Sequence, residues 1–158
     1  MRKQKGFSLI ELLIVVAIIL IIAAIAIPNL LRSRIAANEA SAVGSIRTIN
    51  TAEVTYASTY PNHGFALLTN LGPNAGGTVD ETGAGLLDSV LSSGTKSGYV
   101  LAVTTAGAAS GGGPATIYAV TGDPQNSQTG QRHFYSDQSG VIRYNVSQPA
   151  SGSDSPLQ

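Results

Sequence analysis

Residues 7–27 read FSLIELLIVVAIILIIAAIAI, twenty-one residues with a single charge, the carboxylate of Glu11. A helix needs ~20 apolar residues to cross a bilayer, so the run has the length and composition of a membrane span. A buried helix of a soluble protein would have to be wrapped on every side, and the ~100 residues that follow are too few to do that. A cleaved secretory signal would have a shorter apolar core ending at an A-x-A-like site, whereas here the apolar pattern runs on into an amphipathic helix. Arg2, Lys3 and Lys5 precede the run and Arg32 and Arg34 follow it, a bias that places the N-terminus inside and the remainder outside the cytoplasm.

Glu11 conflicts with this setting. A carboxylate at mid-bilayer costs about 2.5–3.5 kcal/mol on insertion scales, so it needs a partner or a task, and no cationic side chain follows within reach. A candidate partner arises if the chain is cut after Gly6. The new α-amine on Phe7 would lie one helical turn from Glu11 and carry positive charge at neutral pH.

The rest of the composition narrows the function. The chain has 158 residues, with nine Lys and Arg against nine Asp and Glu, two His, no Cys and no Trp. That is one modest domain plus an appendage. With 11% charged and 43% hydrophobic residues, neither a disordered acidic tail nor a basic nucleic-acid binder fits. Without the first five positions, six basic residues face nine acidic ones, so the body is mildly acidic. The lack of Cys excludes disulfides and thiolate metal sites.

The stretch Lys5-Gly6-Phe7-Ser8-Leu9-Ile10-Glu11, followed by the apolar run and Pro28, resembles the class III signal of type IV prepilins and pseudopilins. The likeness extends over residues 2–34 and is weaker beyond. It implies cleavage between Gly6 and Phe7 by a prepilin peptidase on the cytoplasmic side, N-methylation of Phe7, and retention of the apolar segment. It also implies that Glu11 neutralises the N-terminal amine of a neighbouring subunit as subunits leave the membrane for a helical filament. One position departs from the pattern: Leu20 stands where many pilins have a mid-run Gly, a residue that with the following Pro is associated with helix melting in the filament. Pro28 remains, removes one helical hydrogen bond and crowds the carbonyl of Ala24, so a bend is expected there.

From residue 29 to residue 60 the spacing predicts continuation of the same helix, ~54 residues and ~80 Å in all, ended by Pro61-Asn62-His63-Gly64. Leu31, Ile35, Ala42, Val43, Ile46, Ile49, Val54, Ala57 and Tyr60 fall on one side at 100° per residue, as a helix packed on a sheet requires. Glu39 and Glu53 project there too. We read them as rim charges that bend to water, the alternative being partners for Arg132 or Arg143. The opposite side, with Ala37, Ser41, Gly44, Ser45, Thr48, Ala52 and Thr55, is small and nearly uncharged.

Residues 61–97 are rich in Gly, Asn, Thr and Ser, and read as loop with one or two short helices. The β-branched and aromatic runs 99–104, 116–121, 133–136 and 141–146 predict an antiparallel meander of three or four strands within residues 98–150. Asp137-Gln138-Ser139-Gly140 has the composition of a hairpin turn. Residues 110–113 and 125–130 read as mobile loops, and 151–158 as a flexible tail. The expected fold is therefore α+β, a pilin-like lollipop of a long N-terminal helix packed on an antiparallel sheet. It divides into a leader 1–6, an apolar helix 7–28, an amphipathic helix 29–60, a loop region 61–97, a sheet 98–150 and the tail. Many members of the family tie their C-terminal loop with a disulfide, so here the sheet or another contact must hold it.

Catalytic chemistry finds no support. His63 and His133 have no nucleophile or carboxylate at a diagnostic spacing, no zinc motif or P-loop is present, and the glycines of SGGGP precede a strand rather than a helix. Asp80, Glu81, Asp88, Asp123 and Asp137 could group as Ca²⁺ ligands, as in related secretion pseudopilins, but their spacing matches no ligand loop. Otherwise no cofactor is expected. Tyr56, Tyr60, Tyr99, Tyr118, Tyr135 and Tyr144 are read as packing residues of the helix–sheet seam and strands.

The resemblance thus implies a structural subunit of a type IV pilus and no enzyme. The expected partners are further copies of the chain, the prepilin peptidase, the pilus or secretion assembly machinery and the inner membrane. The subunit would first be a single-pass inner-membrane protein, N-terminus cytoplasmic and head periplasmic, and then part of a surface filament serving adhesion, motility, DNA uptake or secretion. The alternatives are a type II secretion pseudopilin and a membrane-anchored binding module that never polymerises. The cost of Glu11 in lipid argues against the latter.

Overall fold

The structure is a computed structural model, described here for residues 7–74, 76–107 and 113–157. The leader 1–6, most of the glycine-rich loop 110–113 and the terminal Gln158 lie outside the described residues. The chain divides into two units, Met1–Arg34 and Ile35–Gln158.

Within the first unit, helix α1 begins at Leu9 and continues through Pro28. None of the most apolar eighteen-residue stretch of α1 is buried. Fifteen large apolar side chains between Phe7 and Ile27 are exposed. At ~1.5–3 kcal/mol for each side chain, leaving them in water would cost on the order of tens of kcal/mol. The segment has the length and composition to cross a membrane, and its most apolar stretch is not buried among the described residues.

In the second unit α1 runs on to Thr59, and beyond its end the amides of His63 and Gly64 close back on the Tyr60 carbonyl. Two short helices, α2 (Leu68–Leu71) and α3 (Ser89–Ser92), lie in the connecting region, the second capped by Asp88 accepting from the Leu91 amide. The sheet is an antiparallel meander in chain order: β1 (Thr95–Lys96), β2 (Tyr99–Ala106), β3 (Ile117–Pro124), β4 (His133–Asp137), β5 (Arg143–Asn145) and β6 (Ser155–Pro156). The β4–β5 connection is the expected turn, with the Gly140 amide bonded to the Asp137 carbonyl and the Ser139 amide to the Asp137 carboxylate.

Alternation along the strands turns Tyr99, Leu101 and Val103 of β2, Tyr118 and Val120 of β3, and Phe134 and Ser136 of β4 into the core. They meet Ala42, Ile46, Ile49, Ala52 and Tyr56 of α1 and, from the connecting region, Leu71, Leu87 and Leu91. Gly122 lies where the helix comes closest. A Cβ there would sit 3.2 Å from both the Ile46 and Leu101 methyl groups, so its absence makes room for Ile46 on the sheet.

Four expectations are corrected. The sheet has six strands rather than three or four, because two-residue strands are added at both edges. Of the tail 151–158, the described residues 151–157 are not free: β6 pairs with β5, Asp154 accepts from the Ser151 amide, the Ser151 hydroxyl and Asn145, and Arg143 donates to the Asp154 carbonyl. These bonds pull the Asp154 carboxyl below the usual range, the Ser151 hydroxyl most of all. This polar knot, with the Leu157 amide on the Ile142 carbonyl, holds the C-terminus without a disulfide. Thirdly, Ser45 and Ala52 are buried while Leu31 and Val54 are exposed, so the seam is centred nearer the small residues than the bulk of the apolar side chains suggests. Fourthly, Glu39 and Glu53 are not rim charges: both are buried.

Candidate functional site

The N-terminal turn of α1 gathers the residues expected to carry function. Phe7 is exposed, and Glu11 folds back so that its Oε2 accepts the Ser8 amide at 2.9 Å. Ser8 precedes the first helical residue and Glu11 stands three positions further on, the return half of a capping box, which satisfies an amide that helix geometry leaves unpaired. The S-x-x-E spelling that announces this cap stands in the sequence, but Glu11 was read only as a counter-charge. Its carboxylate is thus anchored one residue from Phe7. Gly6 lies outside the described residues, and Pro28 stays within the helix.

In the second unit the buried carboxylates organise the packing. Glu39 takes the Arg132 guanidinium at 2.8 Å through Oε2, while its Oε1 accepts the amides of Gln131 and Arg132. The same guanidinium lies over the rings of Phe134 and Tyr144, 5.7 Å from each centroid. This is the partner reading of Glu39, not the solvated one, and it ties the helix to the start of β4. Among the described residues Glu53 has no cationic nitrogen within 4 Å, and its Oε2 accepts the Ala66 amide at 3.0 Å. Burial pushes this carboxyl up to about 7, against the opposing pull of that amide.

The tyrosines behave as packing residues. Tyr56, Tyr99 and Tyr118 are buried, while Tyr60, Tyr135 and Tyr144 are half-buried. The hydroxyls of Tyr56 and Tyr99 donate to the carbonyls of Glu81 and Arg132, and burial pushes the Tyr118 hydroxyl up to about 12.

The candidate Ca²⁺ ligands are not brought together. Asp80 is occupied by Thr82, Gly83 and Asn74, Asp88 caps α3, Asp137 holds the β4–β5 turn, and Asp123 faces His133. Among the described residues no group of three His, Cys, Asp or Glu side chains could hold a metal ion.

The first 27 residues match the family described as the prokaryotic N-terminal methylation motif. The match covers the basic leader and the apolar segment and stops one residue before Pro28. Over 39 residues the chain is 67% identical to the type IV wide pilus major component PilA4 of Thermus thermophilus, covering 25% of this chain and 30% of that protein. Over 56 residues it is 43% identical to the type IV major pilin protein PilA of Myxococcus xanthus, covering 35% of this chain and 26% of that protein. The matched stretch thus spans less than a third of each relative. The chain resembles type IV pilins, and no solved structure matches it.

Proposed function

We propose that this chain is a structural subunit of a type IV pilus, without enzymatic activity. In this reading residues 1–6 are removed by a prepilin peptidase, Phe7 is N-methylated, and residues 7–28 serve first as the inner-membrane anchor and then as the filament core. The observation that carries the proposal is the coincidence of the methylation motif with an apolar helix whose most apolar stretch is not buried among the described residues. A second copy of the same helix would cover it. The Glu11 carboxylate, already fixed beside Phe7, would neutralise the methylated amine of a neighbour as the head stays periplasmic and the filament grows to the surface. Both relatives are major pilus components, which favours a pilus over a secretion pseudopilus.

Processing is tested by mass spectrometry of assembled protein, which should yield an N-terminal methylated Phe7. Filaments that retain Met1, or a mature protein without the apolar segment, would contradict the proposal. Imaging of cells lacking the chain separates the rival: loss of long surface filaments supports the pilus, whereas intact filaments with failed protein export support the pseudopilus.

The part of the small face that stays exposed, with Ala37, Gly44, Thr48 and Thr55, gives a further test. A Cβ at Gly44 meets nothing within 4 Å, so Gly44→Leu should fit the head without strain. Helix propensity should stabilise it by about 0.5–1 kcal/mol in chemical denaturation. Filament yield should nevertheless fall, because small residues there let neighbouring helices approach closely. Normal yield from a stabilised variant would mean that this face meets only solvent.

A further inference from the structure

We infer that Glu53 is a proton-controlled latch, closed when its carboxyl is neutral and opened by its ionisation, which fastens the bend after α1 to the core. Its side chain is wholly buried, yet Oε1 has no hydrogen-bond partner and no Lys, Arg or His nitrogen lies within 4 Å of the carboxyl among the described residues. An ionised carboxylate in such a place would be a buried, uncompensated charge. The groups facing this region deepen the conflict instead of relieving it. Tyr56 and Tyr60 stand on the same helix, Asp80 and Glu81 bear on Tyr56 from the connecting loop, and Tyr118 of β3 is flanked by Asp137. All of these are neutral or acidic, and His63 on the bend itself is exposed.

What the latch holds is specific. Oε2 accepts the Ala66 amide, and the adjoining bend is joined to residue 115 through Phe65 N–H to the Ala115 carbonyl and Ala115 N–H to the His63 carbonyl. Ionised Glu53 can reach water only if this bend parts from the helix. Raising the pH therefore favours an open state of residues 63–66 and 115, while the sheet beneath remains paired.

The sign follows from linkage. Closed, the group titrates at about 7, and open it returns to its ordinary 4.5. The closed state therefore binds more protons between these values, and its advantage, complete below pH 4.5, is lost as pH rises through 7. From pH 5 to pH 8 the open-to-closed ratio should rise roughly 70-fold for such a pair of values.

The test is amide hydrogen exchange on the full chain in detergent, each rate referred to its intrinsic value at that pH. The protection of Ala66, Phe65 and Ala115 should fall by several tens of fold between pH 5 and 8, with Val120 and Ile49 unchanged. In Glu53→Gln, which keeps the acceptor but cannot ionise, the fall should vanish. The ¹³C resonance of the Glu53 carboxyl in the unsubstituted chain should titrate near 7. That last measurement decides the matter even if the glutamine variant misfolds. A midpoint near 4.5, a pH-independent Ala66, or a glutamine variant that keeps the fall would each overturn the inference.

Discussion

Subunits carrying Glu11→Val are expected to enter the membrane at least as well as the unsubstituted chain and to yield few filaments, at least tenfold fewer in sheared preparations. Removing the carboxylate relieves about 2.5–3.5 kcal/mol of insertion cost, so the membrane-bound pool should not shrink. Assembly loses the only acidic group in the apolar run, and a neighbour's Phe7 amine would then be buried without a counter-charge. The hydrogen bond from the Ser8 amide gives this experiment a control. Glutamine also serves in a capping box, so Glu11→Gln keeps the helix start intact while removing the charge. If the glutamine variant assembles normally and the valine variant does not, the role of Glu11 is capping and the counter-charge mechanism fails. Immunoblots of membrane and sheared fractions read both steps.

The second large effect concerns the head. Glu39→Ala should lower its stability by about 2–4 kcal/mol, because it strands the amides of Gln131 and Arg132 as well as a guanidinium. For a unit of this size that corresponds to roughly 10 °C in the thermal midpoint of the full chain in detergent. Arg132→Ala should cost less, since the carboxylate keeps both amide donors and the arginine side chain is already 38% exposed. Equal losses from the two variants would show that the ion pair, rather than the amide cradle, makes the contact valuable.

These two carboxylates also show where sequence reading stops. The strands around Val103, Val120 and Phe134 were legible because alternation marks a half-buried sheet, and the apolar run needed only its length. The amides that receive Glu39 stand more than ninety residues away, and no local pattern announces that a backbone donor will wait there. The apolar stripe misled at the seam. Val54 was placed inward with the apolar stripe at 100° per residue, yet Ser45 and Ala52 took the buried side because small residues bring the helix close to the sheet, where Gly122 leaves space for Ile46. Thr95–Lys96 and Ser155–Pro156 are too short to show any period, and their lysine and proline read as loop. At the N-terminus the opposite happened: the capping spelling was visible, but a stronger reading of the same glutamate hid it.

The two short edge strands bear on how many copies of this head can be crowded together. One edge ends in Lys96 and the other in Pro156, which has no N–H to offer, and each is only two residues long. A long, flat, unprotected edge would recruit the next head into a continuous ladder, the route to amyloid-like ribbons. Here the outermost strand on each side offers only a two-residue edge. Edges this short give an incoming strand little length to extend, which lowers the tendency of crowded heads to fuse into one continuous sheet.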